Sequence, residues 1–157
     1  MARRVEFVDT SILCNLLGVP GKCQDHEKVT ADLMSKREAE DCDLLLPVTA
    51  VIETGNHIAQ LADGRHRRTY AEKFAGVLRM VVEGKAPWAL NEVEWNADHL
   101  STLIAGGSTG ATLVEHAVAR VGCGDLNILI ERDRYLARTA GVEATVWTLD
   151  HGLAAHG

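Results

Sequence analysis

The sequence predicts an α/β fold, a single domain with a central, mostly parallel sheet flanked by helices. Three observations lead there. Short apolar runs rich in β-formers alternate with longer amphipathic stretches, the pattern of strand–helix–strand units. At 157 residues the chain has the size of one domain. A domain of that size buries about 68–70% of its unfolded surface and needs no disulfide staples. No internal repeat, low-complexity tract or linker divides residues 1–157.

The first strand is Val5 to Val8, ending at Asp9. Thr10-Ser11 supplies capping hydroxyls for a short helix through Leu17, and Gly18-Val19-Pro20-Gly21 stops it. Residues 25–40 read as an amphipathic helix with Val29, Leu33 and Met34 on its apolar side. Asp43 to Leu46 is the second strand. Pro47 suits the first turn of a helix running through Ala62. Its expected apolar stripe is Val48, Val51, Ile52, Gly55, Ala59 and Ala62. Thr49, Glu53, Asn56 and Gln60 share another face, because residues three and four apart are neighbours.

Arg65 to Glu83 is a further helix, with Tyr70, Phe74, Val77, Leu78 and Val81 facing the core. Ala86 to Leu90 is a short extended piece, and Trp95 to Ile104 is helical. Gly106 to Gly110 is a loop; lacking a Gly-Lys-Ser/Thr ending, it is not a phosphate-binding P-loop. Thr112 and Glu115 form a capping box for a helix to about Val121. Gly122-Cys123-Gly124 breaks that helix, Asp125 opens the next, and Gly141 follows its end. Ala144 to Leu149 is the last strand, with Asp150 directly after it.

Composition narrows the function classes. No apolar stretch approaches the roughly 20 residues of a membrane span. The N-terminus runs into a strand without a signal-peptide core, so a cytoplasmic location is expected. Cys14, Cys23, Cys42 and Cys123 contain no Cys-x-x-Cys pair, which argues against a zinc ribbon or a thioredoxin-type site. They are expected to be free thiols, with Cys14 and Cys123 as small core residues. The net charge of −6 runs against nucleic-acid binding. Its distribution is uneven, however: Arg65, His66, Arg67, Arg68, Lys73 and Arg79 crowd one segment, and Arg132, Arg134 and Arg138 another.

Four acids stand where the chain turns out of strands or into helices: Asp9, Glu53, Asp125 and Asp150. Ligands of open α/β sheets bind beyond the carboxyl ends of the strands, where these residues fall. Each acid has an ordinary explanation alone: a helix cap for Asp9 and Asp125, a turn residue for Asp150, a solvated helix position for Glu53. Gathered together they do not. Two unit charges about 4 Å apart repel by roughly 4 kcal/mol at an effective dielectric near 20. A convergent quartet therefore requires protonation or a cation. An all-carboxylate set suits Mg²⁺ or Mn²⁺ better than zinc. A pair of such ions about 3.5–4 Å apart clamps a phosphodiester for hydrolysis.

Val8-Asp9-Thr10-Ser11, Pro47 with Glu53, Gly124-Asp125 with Ile128-Leu129, and Thr148-Leu149-Asp150 with Leu153 occur in this order along nearly the whole chain. In these motifs the sequence resembles the PIN-domain ribonucleases, and more narrowly the VapC-type toxins of bacterial toxin–antitoxin pairs. The resemblance implies acidic metal ligands at Asp9, Glu53, Asp125 and Asp150. It further implies dependence on Mg²⁺ or Mn²⁺, endonucleolytic cleavage of RNA, a homodimer, and inhibition by a small antitoxin protein. Ser11 and Thr148 would orient carboxylates by hydrogen bonds, as groups behind metal ligands do. The stretch from about Arg65 to Gly110 is the least family-like.

Arg65, Arg67 and Arg68 are candidate RNA-phosphate contacts, set against a plain solvated charge run. His57, His116 and His151 are candidates to flank the site in surface or supporting roles, since no His-Glu-x-x-His motif exists. Trp88, Trp95 and Trp147 are expected in the core. Two rival functions remain open: a catalytically inactive PIN-fold binding module acting through protein contacts, and a metal-dependent hydrolase of a small phosphorylated molecule.

Overall fold

Period-two burial in β1 (Arg3–Val8) sets the layers of the molecule. The computed structural model describes residues 2–156. Val5 and Phe7 point to one face, against Ile128, Leu129, Val146 and Leu153. Val8 points to the other, against Ile12, Leu13, Leu44, Leu46 and Trp147. Fully burying a side chain such as Phe7 contributes about 1.5–3 kcal/mol. Burial on both faces requires cover on both sides of the sheet. Four strands align parallel in the order β3-β2-β1-β4, with β2 at Cys42–Pro47, β3 at Ala89–Asn91 and β4 at Val142–Trp147. Strand β1 is internal because it pairs with β2 on one edge and β4 on the other. Helices flank the sheet, so the α/β expectation holds.

From β1 the chain passes through α1 (Thr10–Leu17) and α2 (His26–Glu38) to β2. It continues through α3 (Val48–Ala59) and α4 (Gly64–Val82) to β3. Helices α5 (Ala97–Ala105), α6 (Leu113–Val118) and α7 (Cys123–Arg138) then carry it back to β4, on the far side of β1. The short α8 (His151–Ala154) follows. The strand order therefore reverses at β1, and a crevice opens there between the carboxyl ends of β1 and β4. Val8 pairs with Trp147 in that register, and the Asp9 amide donates to the Trp147 carbonyl at 3.0 Å.

Several local expectations are corrected. Asp9 caps α1, as its ordinary explanation has it, and Thr10 and Ser11 do not, while Gly18 ends the helix with a left-handed φ of 75°. On α3 the buried residues are Ala50, Thr54 and Ile58; Ile52 is 58% exposed and Ala59 is exposed. The helix is rotated from its expected stripe because it packs on α1, α4 and α7 together, which favours small residues at the contact. Met34 is exposed on α2, while Val29 is buried and Leu33 packs partly buried against the same core. The extended piece near residue 86 pairs only from Ala89, and β4 ends at Trp147, so Thr148 and Leu149 separate it from Asp150. Helix α7 begins at Cys123 with Gly122 as its cap, so Gly124 lies inside the first turn and Asp125 is its third residue. Cys123 is exposed and Cys14 buried, all four thiols being free. Trp88 and Trp147 are core residues, but Trp95 is exposed and packs on His99, ring centroids 4.5 Å apart. No helix among the described residues is long and apolar enough to cross a membrane.

Candidate active site

The four acids come together. Asp9, Glu53, Asp125 and Asp150 line one cavity of about 390 Å³ at the reversal of strand order. Each arrives by a different route. Asp9 is carried by the end of β1, Glu53 by the second turn of α3, Asp125 by the first turn of α7, and Asp150 by the segment after β4.

Asp9 is the deepest, at 3% exposure. Its Oδ2 accepts hydrogen bonds from the Ser11 hydroxyl at 2.8 Å and the Thr148 hydroxyl at 2.7 Å. The Thr148 hydroxyl in turn accepts from the Asp150 amide at 2.9 Å, and the Ser11 hydroxyl from the Leu149 amide at 3.1 Å. The supporting roles expected of Ser11 and Thr148 thus have hydrogen bonds to rest on, and those bonds join the first acid to the last. The other Asp9 oxygen, Oδ1, is buried without a hydrogen-bond partner. A buried carboxylate oxygen left bare costs about 1–3 kcal/mol or more, and a cation relieves it.

Glu53 is half-buried, which removes the solvated-position reading. Thr10 donates its hydroxyl to Glu53 Oε2 at 2.9 Å, so α1 orients the carboxylate on α3. Glu53 Oε1 occupies the space where Gly124 has no side chain: a Cβ on Gly124 would fall 1.5 Å from that oxygen. This close approach is what a glycine in the first turn of α7 permits.

Burial first, then the charges of Asp9, Asp150 and Glu53, push the Asp125 carboxyl up to about 6. Asp125 does not cap its helix, so that ordinary explanation falls away. Asp150 is exposed at the rim and does cap α8, its Oδ1 accepting from the amides of Gly152 at 2.8 Å and Leu153 at 3.1 Å. A cap and a cavity carboxylate are compatible, because the cap uses one oxygen.

The donors present fit a hard divalent cation: carboxylate oxygens, one of them bare and buried, with no thiolate or imidazole cluster. As they stand, no three His, Cys, Asp or Glu side chains among the described residues are set to hold one ion.

Behind the cavity lies a buried polar group that sequence reasoning missed. Asn127 donates to the Thr49 hydroxyl at 2.6 Å and to Glu131 Oε2 at 3.2 Å, and its Oδ1 meets His99 Nε2 at 2.7 Å. Asn91 donates to Glu131 Oε1 at 3.1 Å. Burial lifts the Glu131 carboxyl to about 7 against that bond. These contacts tie α3, α5 and α7 together and so fix the helices that carry Glu53 and Asp125. The signal available was Thr49, one turn from Glu53 on the same face.

The other candidates scatter. His57 lines the cavity, whereas His116 is buried against Thr109 and His151 is outside the lining. Arg65, Arg67 and Arg68 begin α4 and do not line the cavity. Arg67 donates to the carbonyls of Leu61 and Ala62, and Arg68 pairs with Glu72. Lys22 and a fifth acid, Asp25, which no motif marks, also line it, as does Thr10. Compared with known proteins, the chain matches no family model and no curated sequence.

Proposed function

We propose that the protein is a metal-dependent endoribonuclease of the PIN type, akin to the VapC toxins, hydrolysing RNA phosphodiester bonds with Mg²⁺ or Mn²⁺. The observation that carries the reading is the single cavity shared by Asp9, Glu53, Asp125 and Asp150, with Asp9 Oδ1 buried and bare. Fold alone does not carry it, since α/β sheets host many chemistries.

Asp9, Glu53, Asp125 and Asp150 would hold the cation, with Asp9 Oδ1 as the free donor nearest the core. The bound ion would supply Lewis-acid polarisation of the phosphate and a more acidic water at neutral pH. The chain's own groups prepare that chemistry. Ser11 and Thr148 keep Asp9 from rotating, and Thr10 does the same for Glu53. Burial and the neighbouring acids raise the Asp125 carboxyl to about 6, so in the metal-free site it gives up its proton less readily than an ordinary aspartate. The RNA substrate, a small antitoxin partner, a homodimer and a cytoplasmic location belong to this proposal through the resemblance.

The test is cleavage of a structured RNA by the purified protein in Mn²⁺, against excess chelator and against Asp9→Asn, with mononucleotides as a parallel substrate. The expected result is RNA cutting that needs the metal and is lost in Asp9→Asn while the fold persists by circular dichroism. Undiminished cutting in chelator or in the variant refutes the reading. Mn²⁺ binding without RNA cutting but with mononucleotide turnover would favour the small-molecule hydrolase. Neither binding nor turnover would favour the inactive binding module.

A further inference from the structure

The cavity contains a positive charge that its carboxylates do not use. Lys22 is the only lysine or arginine among the lining residues, and it forms no ion pair among the described residues. A lysine beside five lining acids, Asp25 among them, would ordinarily be expected to pair with one.

The loop that carries Lys22 is clamped at both ends to α1. On one side, Gly18 turns the chain, Val19 is fully buried, and the Val19 amide donates to the Cys14 carbonyl at 3.0 Å. The Lys22 amide then donates to the Val19 carbonyl at 2.9 Å, closing a turn in which Gly21 takes a φ of 78°. On the other side, the buried Asn15 accepts the Asp25 amide on its Oδ1 at 2.9 Å and donates to the Ser11 carbonyl at 2.8 Å. His26 Nδ1 meets the Asn15 carbonyl at 2.6 Å. The backbone of Lys22 is therefore fixed relative to the helix that Asp9 caps, while its amine stays free on a flexible stem. Its charge is felt across the cavity: after burial, it is what holds the His57 imidazole below its usual range.

A substrate rich in phosphate must approach a chain of net charge −6. Association with a like-charged surface is slow unless a local positive point receives the ligand. The arginines at the start of α4 do not reach this cavity. A lysine amine suits the task, as a compact point charge able to follow a backbone of variable geometry.

We infer that Lys22 is the phosphate anchor of this cavity, holding a backbone phosphate of single-stranded RNA next to the one under attack. The assignment rests on the nuclease reading above. It makes Lys22 a substrate-binding residue that sets KM without sequence preference, since a phosphate contact carries no base information.

The experiment compares wild type, Lys22→Gln and Lys22→Arg in steady-state RNA cleavage at saturating Mn²⁺, across a series of salt concentrations. Lys22 is exposed, so neither substitution threatens the fold. Losing one phosphate contact on a single strand should flatten the slope of log(kcat/KM) against log salt by about 0.7. In Lys22→Gln, KM should rise about threefold or more at low salt with kcat nearly unchanged, and Lys22→Arg should restore the wild-type slope. An unchanged slope and KM in Lys22→Gln, with wild type active, overturns the anchor alone. Mn²⁺ affinity that rises severalfold in Lys22→Gln while KM stays put would make Lys22 a counter-charge to the acids, and also overturns it. A wild type that does not cut RNA removes the nuclease reading and the anchor with it.

Discussion

Gly124→Ala separates the helical preference of a residue from its tertiary duty. Alanine inside a helix is ordinarily better than glycine by roughly 0.5–1 kcal/mol. Gly124 sits in the first turn of α7, so a local argument expects mild stabilisation. The new Cβ, however, would fall 1.5 Å from Glu53 Oε1 and 3.3 Å from Thr49 Cγ2. The first contact is impossible, and the second is tight. Glu53 Oε1 is the end of a flexible side chain, so it will swing away rather than break the fold. Leaving costs the bond from Thr10, a charge-assisted contact worth about 1.5–3 kcal/mol when buried and less here, where it is half-exposed. The net change in stability should stay within about 1–2 kcal/mol, since the helix gain and the lost bond oppose each other. Mn²⁺ affinity should fall much further, by about 10- to 100-fold, the range seen when a ligand's support is removed. Isothermal titration with Mn²⁺ beside a thermal melt reads both quantities on one sample. Wild-type Mn²⁺ affinity in Gly124→Ala would refute the reasoning, because Glu53 would then not need the space that glycine leaves. A melting temperature that collapsed along with Mn²⁺ binding would refute it differently, by showing that Gly124 holds the fold.

Two further predictions concern protons and hydroxyls. Asp125 has a folded-state pKa raised to about 6 from an ordinary 3.8, so the metal-free fold binds its proton more tightly than the unfolded chain does. That contribution is full below about pH 4 and is lost as pH rises through about 6. After discounting for the half-exposed carboxyl it amounts to about 1–2 kcal/mol. Urea melts of the metal-free protein should therefore show stability falling across pH 4–6, and Asp125→Asn should lack that part of the fall while keeping the part from Glu131, which extends towards pH 7. Equal slopes in the two proteins would contradict the placement of Asp125 among like charges. Thr148→Val keeps the shape of the side chain but removes one of the two hydroxyls on Asp9 Oδ2. It should weaken Mn²⁺ binding by about tenfold and leave the secondary structure intact, as judged by titration and circular dichroism. Unaltered binding would mean that Ser11 alone orients Asp9.

The sheet was legible because its strands carry their own signal. Val5 to Val8 and Thr145 to Trp147 are compact β-forming runs, and the helices between them leave a parallel arrangement as the economical solution. The acids were legible for a related reason: strand ends and first helical turns are visible in a sequence, and Asp9 and Asp150 follow theirs closely. What failed needed a neighbour. The apolar stripe on α3 misses because Thr54 is fully buried and Ile52 is not, an inversion imposed by three helices meeting on one. Gly124 reads as a helix breaker on any local scale, yet its purpose is the carboxylate of Glu53, brought beside it by the packing of α3 on α7. Asn127, Glu131 and His99 look like surface residues by type and are buried because they satisfy one another. Lys22 was passed over because a lone exposed lysine has no sequence signal. Only the clamped loop and the cavity beneath it single it out.

The claim on which the account turns is that four carboxylates from separate segments share one divalent cation site. Anomalous diffraction from crystals soaked in Mn²⁺ tests it without reference to any substrate. The account predicts a manganese peak in the cavity at about 2.0–2.3 Å from Asp9 Oδ1, with Asp125 and at least one of Glu53 and Asp150 drawn in around it. Saturating Mn²⁺ that leaves this cavity without a peak, or that binds elsewhere on the protein, would contradict it.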